Sequence, residues 1–376
     1  LSSSGTTGLP KGAMLTHTNF VAIAAAFAAA GEFTADDILP GQLPFFHIFG
    51  LCTTLTACLS QGVTSVILPR FELGQLLQLV QDYGATRLYA VPPVLVALAK
   101  QPAVDRYDLS TVKTIICGAA PLGEEVARAV SRRLGCRVKQ IYGLTEIAPT
   151  HLAPDDVHPS KLGSIGPCLP NTQCKVVDLV TGADLGPDQT GELWTRGPQA
   201  MKGYLNQPAA TSQAIDGDGW VHTGDIGFAD ADGYFYVVDR LKELIKYKAH
   251  QVAPAELEAV LLAHAAVADA AVIPSPDDEA GEVPKAFVVL NGDATPEELL
   301  AFVAARVAPY KKIRRLEFVE AIPKSPSGKI LRRVLVERER GSRADQAVGD
   351  AGSPGVGTNG SAPMTEDQET PARAHP

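Results

Sequence analysis

The chain has 376 residues, 45% hydrophobic and 20% charged, a balance that suits a globular protein of at least two domains. Its formal charge of −9 gives no electrostatic case for binding DNA or RNA. The longest apolar run, Phe20 to Ala30, is eleven mostly Ala residues and too short for a bilayer span.

In chain order, SSSGTTGLPKG at 2–12 reads as a loop, and Leu73 to Lys100 reads as helix, strand, helix. Leu73, Leu76, Leu77 and Val80 recur at helical spacing. TRLYAV (86–91) is a short apolar strand punctuated by Pro92-Pro93. VKTIIC (112–117) is a second strand, and Gly123 to Leu134 an amphipathic helix with Val126, Ala129 and Val130 inward. RVKQIYG (137–143) is a third strand. Strands alternating with helices predict a mostly parallel, doubly wound α/β sheet, whose ligands bind beyond the carboxyl ends of the strands. From Cys174 the pattern turns to strands: CKVVDLV, GELWTR, GYFYVVD. A smaller α+β unit follows Asp239, with Thr295, Pro296 and Glu298 forming a helix-start capping box. After Gly341 large apolar residues almost vanish, which predicts a disordered tail over 341–376. The six cysteines show no CxxC pair and no His at metal spacing, so they read as reduced, mostly buried thiols of a cytoplasmic protein. No signal peptide is visible.

The glycines, hydroxyls and single Lys of residues 2–12 are a phosphate-holding composition, because glycine lets backbone N–H groups approach an anion. The loop is not a Walker A motif, since Gly12 follows Lys11. On composition alone an ordinary loop is the commoner reading.

Six further strings stand in order behind it: YGLTE (142–146), GELWTRG (191–197), GYLNQPAAT (203–211), GWVHTGD (219–225), DRLKELIKYKAHQVAPAELE (239–258) and PKSPSGKILRR (323–333). Together they resemble the adenylate-forming superfamily of acyl- and aryl-CoA synthetases, luciferases and adenylation domains, and in particular 4-coumarate–CoA ligases and luciferases. The resemblance covers residues 1 to about 340. It implies a large AMP-binding α/β domain over 1–240, a small α+β lid over 241–340, and ATP, Mg²⁺ and CoA as reactants. In that family much of the first domain precedes the phosphate loop, so the chain is expected to be an N-terminally truncated fragment.

Roles carry over residue by residue as what the resemblance implies. Ser3, Ser4, Gly5, Thr6, Thr7, Gly8 and Lys11 would cradle the β- and γ-phosphates. Thr145 would donate to a phosphate oxygen, and Glu146 would hold Mg²⁺, a hard ion suited to carboxylate. Tyr142 and Gly143, with Gly118 and Ala119 opposite, would form the adenine slot. Asp225 would accept both ribose hydroxyls, helped by Arg240. Lys329 would pair with the α-phosphate and the substrate carboxylate. Lys242 stands at the hinge about which the lid turns between steps, while Lys246 and Gln251 lie on the hairpin implied in thioester formation. The family usually writes Gly where this chain has Ala249, which puts the thioester step in question.

His47 would gate the carboxylate, with Phe49 and Pro149 in an apolar substrate wall. That wall predicts an aryl acid or a medium- or long-chain fatty acid. No Asp stands in 43–51 to hold an amino group, which argues against an amino-acid substrate. Competing readings are an acyl-AMP ligase loading a carrier protein, a light-emitting oxygenase, and a nucleotide-binding remnant without turnover. The expected partners are a small carboxylic acid, ATP and CoA, with no nucleic acid and no membrane span.

Overall fold

A computed structural model describes residues 1–3, 11–248, 250–325 and 328–350, with the side chains of 342–350 excepted. The chain divides into two compact units, 1–336 and 337–376. All of the site geometry below lies in the first.

Near the N-terminus Ser2–Ser3 folds back on β1 (Lys11–Met14), placing Ser3 opposite Lys11. Thr16 then caps α1 (His17–Ala29), with Asn19 completing a reciprocal capping box. Two parallel strands follow, β2 (Ile38–Gly41) and β3 (Thr64–Ile67). Helix α2 (Leu73–Tyr83) buries Leu76, Leu77 and Val80, as their spacing predicts.

The central sheet runs β4 (Arg87–Ala90), β5 (Thr114–Cys117) and β6 (Arg137–Leu144) in parallel, closed by β7 (Ile147–Leu152), which is antiparallel to β6. Every residue of β4 and β5 is buried, as expected for strands covered on both faces. Between them α3 (Pro92–Lys100) opens on two prolines, whose missing N–H groups cost little in a first turn. Helix α4 (Glu124–Leu134) has acids in its first turn and arginines in its last, matching the helix dipole. It turns Val126, Ala127 and Val130 inward. Ala129, expected on that face, is half-exposed: Ala127 lies one residue after Val126 and three before Val130, nearer the centre of the buried stripe. At the amino ends of these strands, buried Arg87 and Lys139 pair with Glu32, Asp37 and Asp155, which leaves the carboxyl ends for a ligand.

A second, antiparallel sheet has the order β12–β11–β9–β8, built from β8 (Gln173–Val177), β9 (Gly191–Arg196), β11 (Val221–Ala229) and β12 (Phe235–Arg240). The short β10 (Gly203–Tyr204) instead pairs with β1. The third sheet begins with the hairpin β13 (Ile245–Tyr247) and β14 (His250–Val252). It continues after α5 (Pro254–Ala263) with β15 (Val267–Asp277) and β16 (Gly281–Leu290), then, past α6 (Pro296–Ala304), with β17 (Arg315–Phe318) parallel to β16. Leu257, Leu261, Leu299 and Val303 of α5 and α6 share its core with Ala270, Val272, Ala286 and Val288. The capping box of Thr295 and Glu298 is present. A final helix, α7 (Arg332–Asp350), runs ten residues into the stretch expected to be a disordered tail. Composition misled there because Arg, Glu, Ala and Gln have no large apolar side chains yet are adequate helix formers. Residues 351–376 lie outside the described residues.

Candidate functional site

A cavity of about 1150 Å³ opens beyond the carboxyl ends of β5 and β6, lined by the second sheet on one side and by α5 and Lys329 on another. Close packing surrounds two glycines here, Gly143 in the cavity wall and Gly118 just after β5. A Cβ on Gly143 would stand 2.9 Å from Ala148 Cα, and one on Gly118 would stand 2.8 Å from Ile141 Cγ2 and Phe49 Cζ. Ala119 adopts φ 71°, a left-handed conformation that costs an L-residue energy and is characteristic of functional turns.

Tyr142 ends the run from β6 and donates its hydroxyl to Asp225 Oδ2 at 2.7 Å. Register places Asp225 opposite Arg240 across β11 and β12, and Arg240 Nε meets Oδ1 at 2.9 Å. Both carboxylate oxygens are thus held, in a residue only 3% exposed. Burial raises the Asp225 carboxyl above its ordinary range, against the pull of Arg240. The Asp225 charge in turn raises Arg240. Thr223 anchors the turn by donating to Leu193 O at 2.6 Å, and Glu192 accepts from Gly224 N at 2.8 Å. This fixed carboxylate, beside a flat aromatic ring and a permanent cation, is a cradle for a vicinal diol attached to a planar base.

A second corner lies at Glu146. Its Oε1 accepts from Ser3 Oγ and from Tyr204 Oη, both at 2.6 Å. Lys11 Nζ stands 4.8 Å from the centre of the Tyr204 ring. The hairpin of Ser3 and Lys11 therefore meets the acid through β10. Thr145 is half-buried beside it. Residues 4–10, which include Ser4, Gly5, Thr6, Thr7 and Gly8, lie outside the described residues. Among the described residues no group of three or more His, Cys, Asp or Glu side chains could hold a metal. A single carboxylate such as Glu146 suits a hard cation, Mg²⁺ for instance, that brings other oxygen ligands of its own.

Lys329 reaches the first corner from the third sheet's side. Its ammonium is lowered to about 8, chiefly by burial and then by Arg240, while Glu243 and Asp225 oppose the shift. Its charge also lowers His47, whose larger cause is again burial. His47 Nδ1 accepts from Phe49 N at 3.2 Å, and Phe49 packs edge-on against Tyr89. Pro149 is buried, its carbonyl taken by Gln199.

Lys246 and Gln251 are not brought to this cavity. They face each other across the exposed hairpin β13–β14 and are not among the residues lining the cavity. Lys242 is exposed in the turn after β12. Ala249 lies outside the described residues. Sequence reasoning missed Tyr204, Glu243, Glu258 and Arg332. Arg332 binds Glu258 at 2.7 Å and Glu243 at 3.1 Å, and burial raises Glu258 to about 7. Tyr204 stood within a quoted motif (GYLNQPAAT), so its position was available; the ion pairs of Arg332 join residues 74 and 89 apart in sequence and had no local signal.

The family model described as AMP-binding enzyme matches residues 2–205, and that of the AMP-binding enzyme C-terminal domain matches 256–329. The chain belongs to the AMP-binding enzymes. Its relatives include 4-coumarate–CoA ligase of Pinus taeda, 47% identical over an alignment of 346 residues that covers 89% of this chain and 64% of the relative. 4-Coumarate:CoA ligase 1 of Petunia hybrida is 48% identical over 351 residues, with the same two coverages. The chain thus spans less than two thirds of their length. Among solved structures, ATP-bound MatB from Rhodopseudomonas palustris superposes with TM-score 0.82 at 31% identity, over 90% of this chain and 67% of that one. Apo MatB from the same source gives 0.70 at the same coverages. MenE from Bacillus subtilis in complex with AMP gives 0.78 at 32% identity, over 89% and 67%. No described helix of this AMP-binding enzyme is long and apolar enough to cross a membrane.

Proposed function

We propose that this AMP-binding enzyme is an ATP-dependent acid–thiol ligase. It joins a carboxylate to AMP with release of pyrophosphate, then passes the acyl group to the thiol of CoA with release of AMP. The observation that carries this reading is the convergence of Lys329 with the Tyr142–Asp225–Arg240 cradle in one cavity. Two anions, a carboxylate and an α-phosphate, must meet for the first bond to form. A preplaced ammonium lowers that barrier, because it is desolvated before the charge arrives.

In this reading Asp225 and Arg240 hold the ribose, and Tyr142 stacks on adenine over Gly143, with Gly118 and Ala119 opposite. Ser3 to Lys11 take the outer phosphates with Thr145. Glu146 holds Mg²⁺, which when bound neutralises phosphate charge. The carboxylate enters past His47 and Phe49. Its oxygen attacks the α-phosphorus in line, and the electron pair leaves with pyrophosphate. The domain division that follows is 1–240 for the nucleotide and 241–340 for the lid, hinged at Lys242. The better superposition on ATP-bound than on apo MatB supports an arrangement competent for adenylation. Lys246 and Gln251 would serve thioester formation only after the lid turns.

The curated relatives are 4-coumarate–CoA ligases, which favours an aryl acid. Phe49 supplies no hydroxyl to a ring substituent, so an apolar aryl or acyl chain fits the wall as well. The free cysteines suit a reducing compartment such as the cytoplasm. The test is incubation with ATP, Mg²⁺ and CoA plus a panel of cinnamates and fatty acids. Acyl-CoA and AMP in equal amounts support the reading. Acyl-AMP without acyl-CoA favours loading of a carrier protein, and AMP binding without any ester favours a nucleotide-binding remnant.

A further inference from the structure

Lys329 works only if the segment that carries it stays over the nucleotide cradle, so what fastens that segment matters. Helix α5 meets its end requirement only in part by itself: His264 N donates to Leu261 O at 3.0 Å and Val267 N to His264 O at 3.1 Å. His264 at its C-cap is extended rather than a left-handed glycine, and its last turn has no basic residue. The carbonyls at such an end carry negative charge and need partners. They receive one from across the molecule. Lys100, the last residue of α3, places Nζ 2.7 Å from Leu262 O, 3.0 Å from His264 O and 2.6 Å from Val267 O. An ammonium has three protons, and all three are used. Lys100 is half-buried, and desolvation lowers it from its ordinary value.

The opposite end of α3 holds the other end of the segment. Its N-cap Val91 lies under Gly328, where a Cβ would stand 2.9 Å from Val91 Cγ2. Gly328 has φ +80°, so the chain passes there in a conformation that suits glycine. The nine residues of α3 span about 14 Å at 1.5 Å per residue. The helix therefore supports the Lys329 loop at one end and clamps α5 at the other. Within the clamped part, Glu258 of α5 holds Arg332, three residues after Lys329, through two contacts of 2.7 Å.

We propose that Lys100 is a positioning residue that holds Lys329 in the nucleotide site by capping the carboxyl end of α5. The clamp rests on the reading of Lys329 as the adenylation lysine, but it can be tested without turnover. The measurement is trace acetylation by acetic anhydride across pH 6–11, with the fraction modified at Lys329 read by mass spectrometry. In the unaltered chain Lys329 should titrate near 8, set by burial beneath Arg240, Glu243, Asp225 and Arg332, with His47 facing it. Lys100→Met keeps the apolar stem and removes the three donors. Its Lys329 profile should move toward the ordinary 10.5, because the loop is released into water. Lys100→Arg, which keeps the charge but cannot aim three donors at three carbonyls, should give an intermediate profile.

A Lys329 profile identical in all three proteins overturns the clamp. If Lys100→Met does not fold, the arginine variant decides: an unshifted profile there also overturns it. In the ligase assay the Met variant should lose about tenfold in the adenylation rate, the scale of one charge-assisted hydrogen bond, with the KM for ATP unchanged. A shifted profile in a protein that adenylates nothing would sustain the clamp and refute only the ligase reading.

Discussion

Replacing Lys329 by Met should make the protein more stable while removing its chemistry. The Lys329 ammonium is lowered from an ordinary 10.5 to about 8 by burial and by Arg240. At 1.36 kcal/mol per pH unit, that displacement is about 3 kcal/mol of penalty carried by the folded state whenever the lysine is charged. The sign follows from proton counting. Between pH 8 and 10.5 the unfolded chain holds the Lys329 proton and the folded chain has lost it, so folded stability rises with pH across that window. Below pH 8 the penalty is complete; above 10.5 it is gone. Lys329→Met has no such term. Its excess stability over the parent, from paired urea titrations, should therefore reach up to about 3 kcal/mol at pH 7 and shrink toward zero by pH 10.5. Adenylation should fall on the order of 10²- to 10³-fold, as when a preplaced group is removed from developing charge. A variant less stable than the parent at pH 7, or an advantage flat across the window, would refute the argument that burial is imposed on this lysine for function.

Other consequences follow from the same geometry. Asp225→Asn keeps the shape but takes from Arg240 its charged partner, so it should weaken AMP binding measured by calorimetry, and an unchanged affinity would contradict the cradle. Gly143→Ala pushes a methyl to 2.9 Å from Ala148 Cα; a loss of about 1–3 kcal/mol and reduced AMP affinity are expected, and an unchanged melting curve would contradict the tight packing. Cys168 is held below its ordinary value, first by the neighbouring Cys174 thiol and also by His151, whose Nε2 lies 3.4 Å from Sγ. Burial pushes Cys58 up to about 12 and Cys136 up to about 11. Iodoacetamide at pH 6 should therefore label Cys168 before those two, as peptide mapping would show, because only thiolate reacts.

The parts of the fold legible in the sequence were those written in local periodicity. Apolar runs of four to six residues between amphipathic helices gave the parallel order of β4, β5 and β6, and the ends of those strands located the cavity. Tyr142, Asp225, Arg240 and Glu146 were each readable inside a motif, although nothing local says that Tyr142 donates to Asp225 from 83 residues away. Lys100 was not readable, and Arg332, although it stands inside PKSPSGKILRR, gave no sign of its pairings. An isolated Lys at a helix end or an Arg after a glycine turn looks like a solvated charge until tertiary packing supplies three carbonyls or two carboxylates. Cys168 was similar: its His partner sits on a neighbouring strand, invisible to spacing rules. The tail was misread where it begins because low hydrophobicity excludes a core without excluding a helix.

Carboxylate-dependent exchange of labelled pyrophosphate into ATP tests the central claim most directly, because it reports the first bond alone and needs neither CoA nor the hairpin of Lys246 and Gln251. With Mg²⁺ and 4-coumarate or a related acid, the chain should catalyse exchange that disappears on omission of the acid and falls at least a hundredfold in Lys329→Met. Exchange that is absent for every acid in a protein shown to bind AMP, or exchange that survives the Met substitution, would contradict the account.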